Sequence, residues 1–403
     1  AFMMEAAEGN WALALPLARQ LAEGPAQSRI ARMVLGIDEF KAGRLEKADE
    51  HFKAAGTGPI AELTSALARA WVKSAQNETD AAVVLLDGPK QAEWAQIYLR
   101  YHRALIADLG GRRAEARTSY ERLFKQDART PRTALAYAQH AANSGDPKLA
   151  RTILKEHADK STSGEGHPMA IALRDQIASG AKIPMLVETP LDGLAEVFFG
   201  LGEALTAEGG IGVGAVYLQM ALQLRRDFPF ALAALANVYE TTKHYDDAIA
   251  VYDQIPKDTA MQAAIDIRKA INLNLLERVD DAKALLEDLA RRDPTDIKPL
   301  DALGSIMRAR KRYDEAVDYY TRAIALVAKP DKRHWTYFYS RGTSYERIKK
   351  WPLAEADLQR ALQLAPEQPL ILNYLGYSWV DQNRNLKQGM ALIEKAVALK
   401  PDD

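Results

Sequence analysis

Seven histidines, His51, His102, His140, His157, His167, His244 and His334, are the residues best suited to metal or proton-transfer chemistry in this chain. None stands in a ligand spacing such as H-E-x-x-H, and each is isolated in sequence, so they read as surface or packing residues. There is no cysteine among the 403 residues, which excludes disulfides, thiolate metal sites, iron–sulfur clusters and a cysteine nucleophile. Gly210-Ile211-Gly212-Val213-Gly214-Ala215 fits the relaxed dinucleotide pattern G-x-G-x-x-A. That pattern cradles a pyrophosphate only between a strand and a helix. Here a helix is expected before it, so it reads as a glycine-rich inter-helix turn. No P-loop, nucleophile elbow or Ser/His/Asp set with supporting context occurs. No catalytic, cofactor-binding or metal-binding residue is assigned, and a non-enzyme is expected.

Charge narrows the partners. With 53 Lys+Arg against 54 Asp+Glu, the chain lacks the basic excess that general nucleic-acid or anionic-membrane binding draws on. Basic groups gather at Arg112–Arg113, Lys243–His244, Arg308/Arg310/Lys311/Arg312 and Lys349–Lys350, with acids close behind at Asp246–Asp247, Asp280–Asp281 and Asp314–Glu315. A cation ending one helix and an anion starting the next each complement a helix dipole, by about 0.3–1 kcal/mol. Only Arg308–Arg312, with Lys329, Lys332 and Arg333 one loop away, exceeds that need and offers a patch for an acidic partner. No run approaches the roughly 18–20 apolar residues that span a bilayer, and no charged-then-apolar leader opens the chain. The hydrophobic fraction, 48%, is ample for a core.

The elements that would position these groups repeat. Ala14, Ala48, Ala82, Ala116 and Ala150 stand 34 residues apart, as do Gly214, Ala248, Ala282 and Ala316; Ala354 and Gly389 follow at 38 and 35. A companion series runs Phe198, Leu232, Asp266, Leu300, Phe338 and Leu372. A period of 34 is that of the tetratricopeptide repeat (TPR), a helix–turn–helix unit. In Trp335–Pro366, Phe338, Gly342, Tyr345, Ala354, Leu358, Ala361 and Pro366 resemble the TPR consensus at positions 4, 8, 11, 20, 24, 27 and 32. Arg341 departs from it at position 7, where Leu is usual. Small residues at 8 and 20 let the helices A and B of a repeat approach, and bulky ones fill the space between. The expectation is an all-α, right-handed TPR solenoid of about eleven units.

The register breaks between Ala150 and Gly214. Ser161, Ser163, Gly164 and Gly166, then Pro168, Pro184 and Pro190, predict an irregular segment with a short helix from about Pro168 to Ser179 and extended chain over Lys182–Thr189. The division expected is an N-terminal module of degenerate repeats (1–157), a connector (158–190) and a C-terminal module of six repeats (191–403). The connector reads as a joint; the alternative is a segment folded over a groove that controls access to it.

In a TPR superhelix, helix A lines the inner face, and positions 2, 5, 9 and 12 point inward. They give Met33, Ile37, Phe40, Leu67, Trp71, Tyr98, Tyr101 and Leu105 in the first module. The second shows Glu196, Glu203, Asn237, Glu240, Lys298, Asp301, Arg308, Tyr339, Thr343, Glu346, Asn373 and Tyr377. The candidate partner-binding residues are Phe40, Trp71, Tyr98, Tyr101, Lys298, Arg308, Tyr339 and Tyr377. An apolar concave face is either a protein-binding site or a surface packed against a neighbouring turn of the superhelix. Position 6 carries Gly200, Ala234, Arg268, Ala302, Ser340 and Tyr374, so the asparagine ladder of TPR glycosyltransferases is absent. Asn237, Lys298 and Arg308 do not reproduce the two-carboxylate clamp of chaperone-binding TPRs.

The run Leu372–Gln382, with Arg341-Gly342 and Trp351 before it, resembles long bacterial envelope TPR proteins, a group that includes outer-membrane lipoprotein adaptors of carboxy-terminal processing proteases. The resemblance covers 335–403 specifically. It implies a non-catalytic scaffold, periplasmic or at the periplasmic side of the outer membrane, whose partners are a processing protease and its substrates. The lipobox cysteine of such lipoproteins is missing; it was removed with a leader, or this relative is soluble. Alternatives are a cytoplasmic scaffold or co-chaperone-like peptide binder, and the docking segment of a larger enzyme. Phe2-Met3-Met4 begin partway through a helix A and Lys400-Pro401-Asp402-Asp403 end a repeat without a capping helix, so further repeats are expected beyond the chain.

Overall fold

A computed structural model describes residues 1–23, 28–87, 92–161 and 164–401. Ser163 and the final Asp402-Asp403 of the sequence reading lie outside them. Every regular element among the described residues is a helix. Eleven are paired A–B hairpins: α1 (Phe2–Ala7) with α2 (Trp11–Glu23), α3 (Arg29–Lys41) with α4 (Leu45–Ala55), α5 (Pro59–Ala75) with α6 (Thr79–Leu86), α7 (Ala95–Leu109) with α8 (Arg113–Gln126), and α9 (Pro131–Asn143) with α10 (Pro147–Lys160). A single helix, α11 (Pro168–Ser179), follows. The pairing then resumes with α12 (Pro190–Ala207) and α13 (Ile211–Leu224), α14 (Pro229–Thr241) and α15 (Tyr245–Tyr252), and α16 (Gln262–Leu275) and α17 (Val279–Arg292). It ends with α18 (Lys298–Ala309) and α19 (Tyr313–Ala325), α20 (Trp335–Arg347) and α21 (Trp351–Leu364), and α22 (Pro369–Asp381) and α23 (Leu386–Leu399).

One turn geometry joins A to B in all eleven hairpins. The residue in left-handed backbone is Gly9, Gly43, Asn77, Gly111, Gly145, Gly209, Lys243, Glu277, Lys311, Lys349 or Asn383, with φ from 53° to 88°. The next residue's N–H returns to a carbonyl five positions back, as in Arg44 to Glu39 (3.0 Å) and Arg312 to Met307 (2.9 Å). This is the Schellman stop, which satisfies carbonyls at the end of helix A and reverses the chain. Five residues after the left-handed residue (six for Gly389 in the last hairpin) comes the small residue of the 34-residue series, and every member of that series is buried. Close approach demands it: a Cβ on Gly36, at position 8, would lie 2.5 Å from the Phe52 ring of the facing helix.

Arg341, the departure from consensus, makes two bonds to Asp357 of α21, at 2.7 and 2.9 Å. The pair replaces an apolar contact between helices A and B with a largely buried ionic one. The connector is packed. Helix α11 rests on α9 and α10, the non-helical 181–189 buries Ile183 and Val187, and Thr189 with Asp192 forms a capping box that starts α12.

By packing, the chain divides into two compact units, Ala1–Gln262 and Ala263–Asp403. The first continues past the connector because α12 packs on α5 and α7, α13 on α3, and α1 on α13. The break in repeat register and the limit of compact packing are thus different features. In the second unit, each hairpin packs on its sequence neighbours, and the last helix keeps Leu386, Met390 and Val397 exposed on one stripe.

Candidate functional site

In the first unit the apolar inner stripe is occupied by the chain itself. Helix α12 carries Leu194, Val197, Phe198, Phe199 and Leu201, all buried, and lacks the broad polar face of a surface helix. It therefore buries one side on α13 and another on the inner helices α5 and α7. Trp71 of α5 is wholly buried, its ring so close to Gly193 that a Cβ there would fall 2.2 Å away. Phe40, Met33, Ile37, Leu67 and Leu105 are buried as well. Phe40 and Trp71, candidates for partner contact from sequence, are core residues here. The physical reason is that their stripe faces the chain's own α12 and α13.

Tyr101 donates to Glu196 Oε2 at 3.1 Å. Glu196, read from sequence as an inward-facing groove residue, is buried and clasped by Arg132 of α9 through Nε (3.2 Å) and Nη2. The Arg132 guanidinium in turn sits 4.7 Å from the Phe230 ring centre and 5.2 Å from that of Phe228. Burial raises the Tyr101 phenol pKa. Tyr98 is half-buried at the open edge of the same cleft, its pKa raised by burial and then by Glu203 and Glu208.

Four of the seven histidines, His102, His140, His157 and His167, are parts of the packing, whereas His244 is exposed. Trp71 Nε1 donates to His102 Nδ1 at 3.0 Å, which selects the neutral tautomer protonated at Nε2. Burial holds the His102 pKa at about 3. His140 Nδ1 meets Asp108 at 2.8 Å, and His157 Nδ1 donates to the Ala128 carbonyl at 2.9 Å. His167 stacks on Phe230 and is depressed to about 4, by burial first and then by His157 and Arg132. Among the described residues no group of three His, Asp or Glu side chains could hold a metal ion, and no helix is long and apolar enough to cross a membrane. Gly210–Ala215 caps and begins α13, directly after helix α12 rather than a strand.

In the second unit the A helices keep an accessible aromatic face. Tyr339 of α20 is half-buried, meeting Trp335 and Tyr374 edge to face, each at 5.8 Å. Tyr374 donates to Glu346 at 3.0 Å, and one turn further Tyr377 is 64% exposed. Arg308 of α18 is exposed and close enough to Tyr339 to act on its phenol electrostatically, although burial prevails and raises that pKa. Arg308, Tyr339 and Tyr377 therefore lie on successive A helices. Lys298 is exposed at the start of α18, ten residues, or roughly 15 Å, from Arg308.

The basic cluster is largely engaged within the chain. Arg310 binds Asn274 (2.8 Å) and Glu277 of the preceding repeat, and Arg312 binds Glu315 and Asp280 (3.3 Å). Arg333 pairs with Asp331 at 2.8 Å. Turn charges thus tie consecutive repeats together, beyond complementing helix dipoles. The sequence did not reveal these cross-repeat pairs; for the inner stripe it left packing against the chain itself open beside partner binding, and the apolar circumference of Pro190–Ala207 was the signal that could have decided it.

The fold is an all-α TPR solenoid. The tetratricopeptide repeat family matches residues 231–259 and 300–333, and a second tetratricopeptide repeat profile matches 102–165 and 339–403. Similar solved structures include yeast Tom70, at 15% identity over 99% of this chain and 92% of that one (TM-score 0.42). A chain of the APC/C hetero-tetramer Cut9–Hcn1 aligns at 12% identity over 100% and 93% (TM-score 0.42). YrrB, described as a TPR protein with an unusual peptide-binding site, aligns at 18% over 44% and 90% (TM-score 0.33). No curated protein sequence matches the chain.

Proposed function

We propose that this chain is a non-catalytic adaptor that holds partner proteins on the A-helix face of α18, α20 and α22. A TPR solenoid is a scaffold fold suited to protein–protein interaction. The observation that carries the reading is the exposed Tyr377, one turn from Tyr374 of the edge-to-face Tyr339–Tyr374 pair, with Arg308 close to Tyr339 on the preceding A helix. Aromatic and arginine side chains dominate the energetics of protein interfaces, and an aromatic ring two-thirds open to water gains by being covered. The resemblance of 335–403 to envelope TPR adaptors supports a periplasmic or outer-membrane-associated setting, with a carboxy-terminal processing protease and its substrates as partners. The division into repeat modules at 1–157 and 191–403 belongs to the same proposal.

The test is capture from envelope extract with mass spectrometry, comparing the wild-type chain with Tyr377→Ala and Arg308→Glu. Both sites are exposed, so the variants keep the wild-type melting temperature. Loss of a specific captured protein in both supports the face, and a processing protease among the lost proteins supports the envelope reading. Identical capture by all three chains overturns the proposal.

A further inference from the structure

The filled inner stripe leaves an open cleft along its edge. Three cavities, of about 580, 260 and 270 Å³, follow one another between the α5/α7 side and the α12/α13 side of the first unit. They are continuous: the first two share Ile60, Trp94 and Leu205, and the last two share Tyr98 and Ala204. Ile60, Trp94, Ile97 and Val213 line this cleft and remain 36–43% exposed. Four large apolar side chains left open on one concave strip form the kind of patch that a soluble surface seldom keeps uncovered.

Its charges decide what would cover it. Among the described residues, the cations that line the cleft already have partners: Arg132 is clasped by Glu196 and also acts electrostatically on Glu203 without bonding to it, and Arg29 donates to the Thr57 carbonyl at the far end. Glu203 and Glu208 also line it, and among the described residues neither makes an ion pair or hydrogen bond through its carboxylate. Glu203 is open to water along its flank, yet enough protein surrounds it that desolvation raises its carboxyl pKa. Both acids act on the phenol of Tyr98 between them.

We infer that this cleft binds a partner polypeptide segment whose apolar side chains seat against Trp94, Ile60 and Ile97 and whose lysine or arginine pairs with Glu203 and Glu208. The recognition is opposite in sign to a carboxylate clamp, because the protein supplies the anions. The site is separate from the A-helix face of α18–α22, and neither depends on the other.

Fluorescence anisotropy on the full chain tests it with two labelled probes, an alternating leucine–lysine octapeptide and its leucine–glutamate counterpart. The lysine probe binds about tenfold more tightly than the glutamate probe, in keeping with a charge-assisted hydrogen bond in a partly dry cleft. Glu203→Gln with Glu208→Gln removes that preference, and Trp94→Ala weakens the lysine probe while leaving thermal stability unchanged. Tyr377→Ala leaves probe binding unaltered, which separates this inference from the proposed adaptor face. Equal binding of the two probes, a preference that survives the Gln variants, or no binding overturns the inference. So does concentration-dependent self-association in sedimentation that Trp94→Ala abolishes, because the occupant is then a second copy of the chain.

Discussion

The contrast between Gly193 and Gly200 is the most direct check on how α12 is seated. Both are helical glycines, and alanine in a helix is favoured over glycine by roughly 0.8–1 kcal/mol. At Gly200 the nearest atom to an added Cβ is Tyr98 Cε1 at 3.7 Å, ordinary contact, so Gly200→Ala stabilises the protein by up to about 1 kcal/mol. At Gly193 the added methyl meets the Trp71 ring at 2.2 Å, so Gly193→Ala destabilises by about 1–3 kcal/mol. Urea unfolding of the two variants reads the difference, and equal behaviour would show that α12 does not press on Trp71. His102 supplies the pH counterpart. Its folded pKa of about 3 lies below the ordinary value of 6.5 because it is buried, packed by Trp71 and Tyr101 with no charged group bonded to it. Between those values the unfolded chain holds a proton that the folded chain does not. Its contribution to stability is therefore complete above pH 6.5 and falls by about 1.4 kcal/mol per pH unit as the medium is acidified. His102→Asn, which keeps an acceptor for Trp71, lowers the slope of urea stability against pH by one proton between pH 6 and 4. An unchanged slope would assign the acid sensitivity to other groups.

At the scale of the element, the two local departures from consensus have separable costs. Lys243, Glu277, Lys311 and Lys349 hold the left-handed position that glycine holds in five other turns. An L-residue there costs roughly 1–2 kcal/mol, partly offset by the lower unfolded-state entropy of a non-glycine residue, so Lys311→Gly or Lys349→Gly stabilises by about 0.5–1 kcal/mol. A lower denaturation midpoint in both variants would show that the side chains contribute more than the strain removes. Arg341 and Asp357 behave as a pair. Arg341→Leu restores the consensus residue but strands a buried carboxylate, and it approaches the ~3–5 kcal/mol loss of a broken buried ion pair. Arg341→Leu with Asp357→Leu recovers most of that loss, and a double-mutant cycle with no coupling would refute the pairing. The hairpins were legible in the sequence because a 34-residue register leaves its small residues in place even where the bulky ones drift. The turns were legible only in part: Gly9, Gly43, Gly111, Gly145 and Gly209 announce a left-handed stop, whereas a lysine at the same position does not. For Arg341 the sequence showed the departure and not its partner, because Asp357 lies on the facing helix.

For the whole molecule, the register revealed how repeats follow one another but not what the inner stripe of the first unit touches. The inward positions were identifiable, since Phe40, Trp71, Tyr98 and Tyr101 fall on one side of their helices. Whether a partner or the chain itself covers that side depends on contacts such as Thr64 with Tyr217, 153 residues apart at 3.2 Å, which no local pattern encodes. Among the described residues the second unit shows no such closure; its helices pack with near neighbours in sequence, so its inner candidates stay accessible. Solenoid stability is a sum over neighbouring repeats, and ends open before middles unless long-range contacts join them. The two units are therefore expected to exchange amide hydrogens in different patterns. In the first, α3, α5, α7, α12 and α13 share packing across more than a hundred residues of chain, so their slowest amides exchange with one common free energy. Gly193→Ala then accelerates exchange in α3, α5 and α7 together with α12, although the substitution lies in α12 alone. In the second, protection declines from α18 and α19 toward α23, whose outer stripe of Leu386, Met390 and Val397 nothing covers among the described residues. Hydrogen exchange with peptide-level mass spectrometry checks both patterns. A Gly193→Ala effect confined to α12 and α13 would show that the first unit is an open array like the second, and that its aromatic stripe is available to a partner after all.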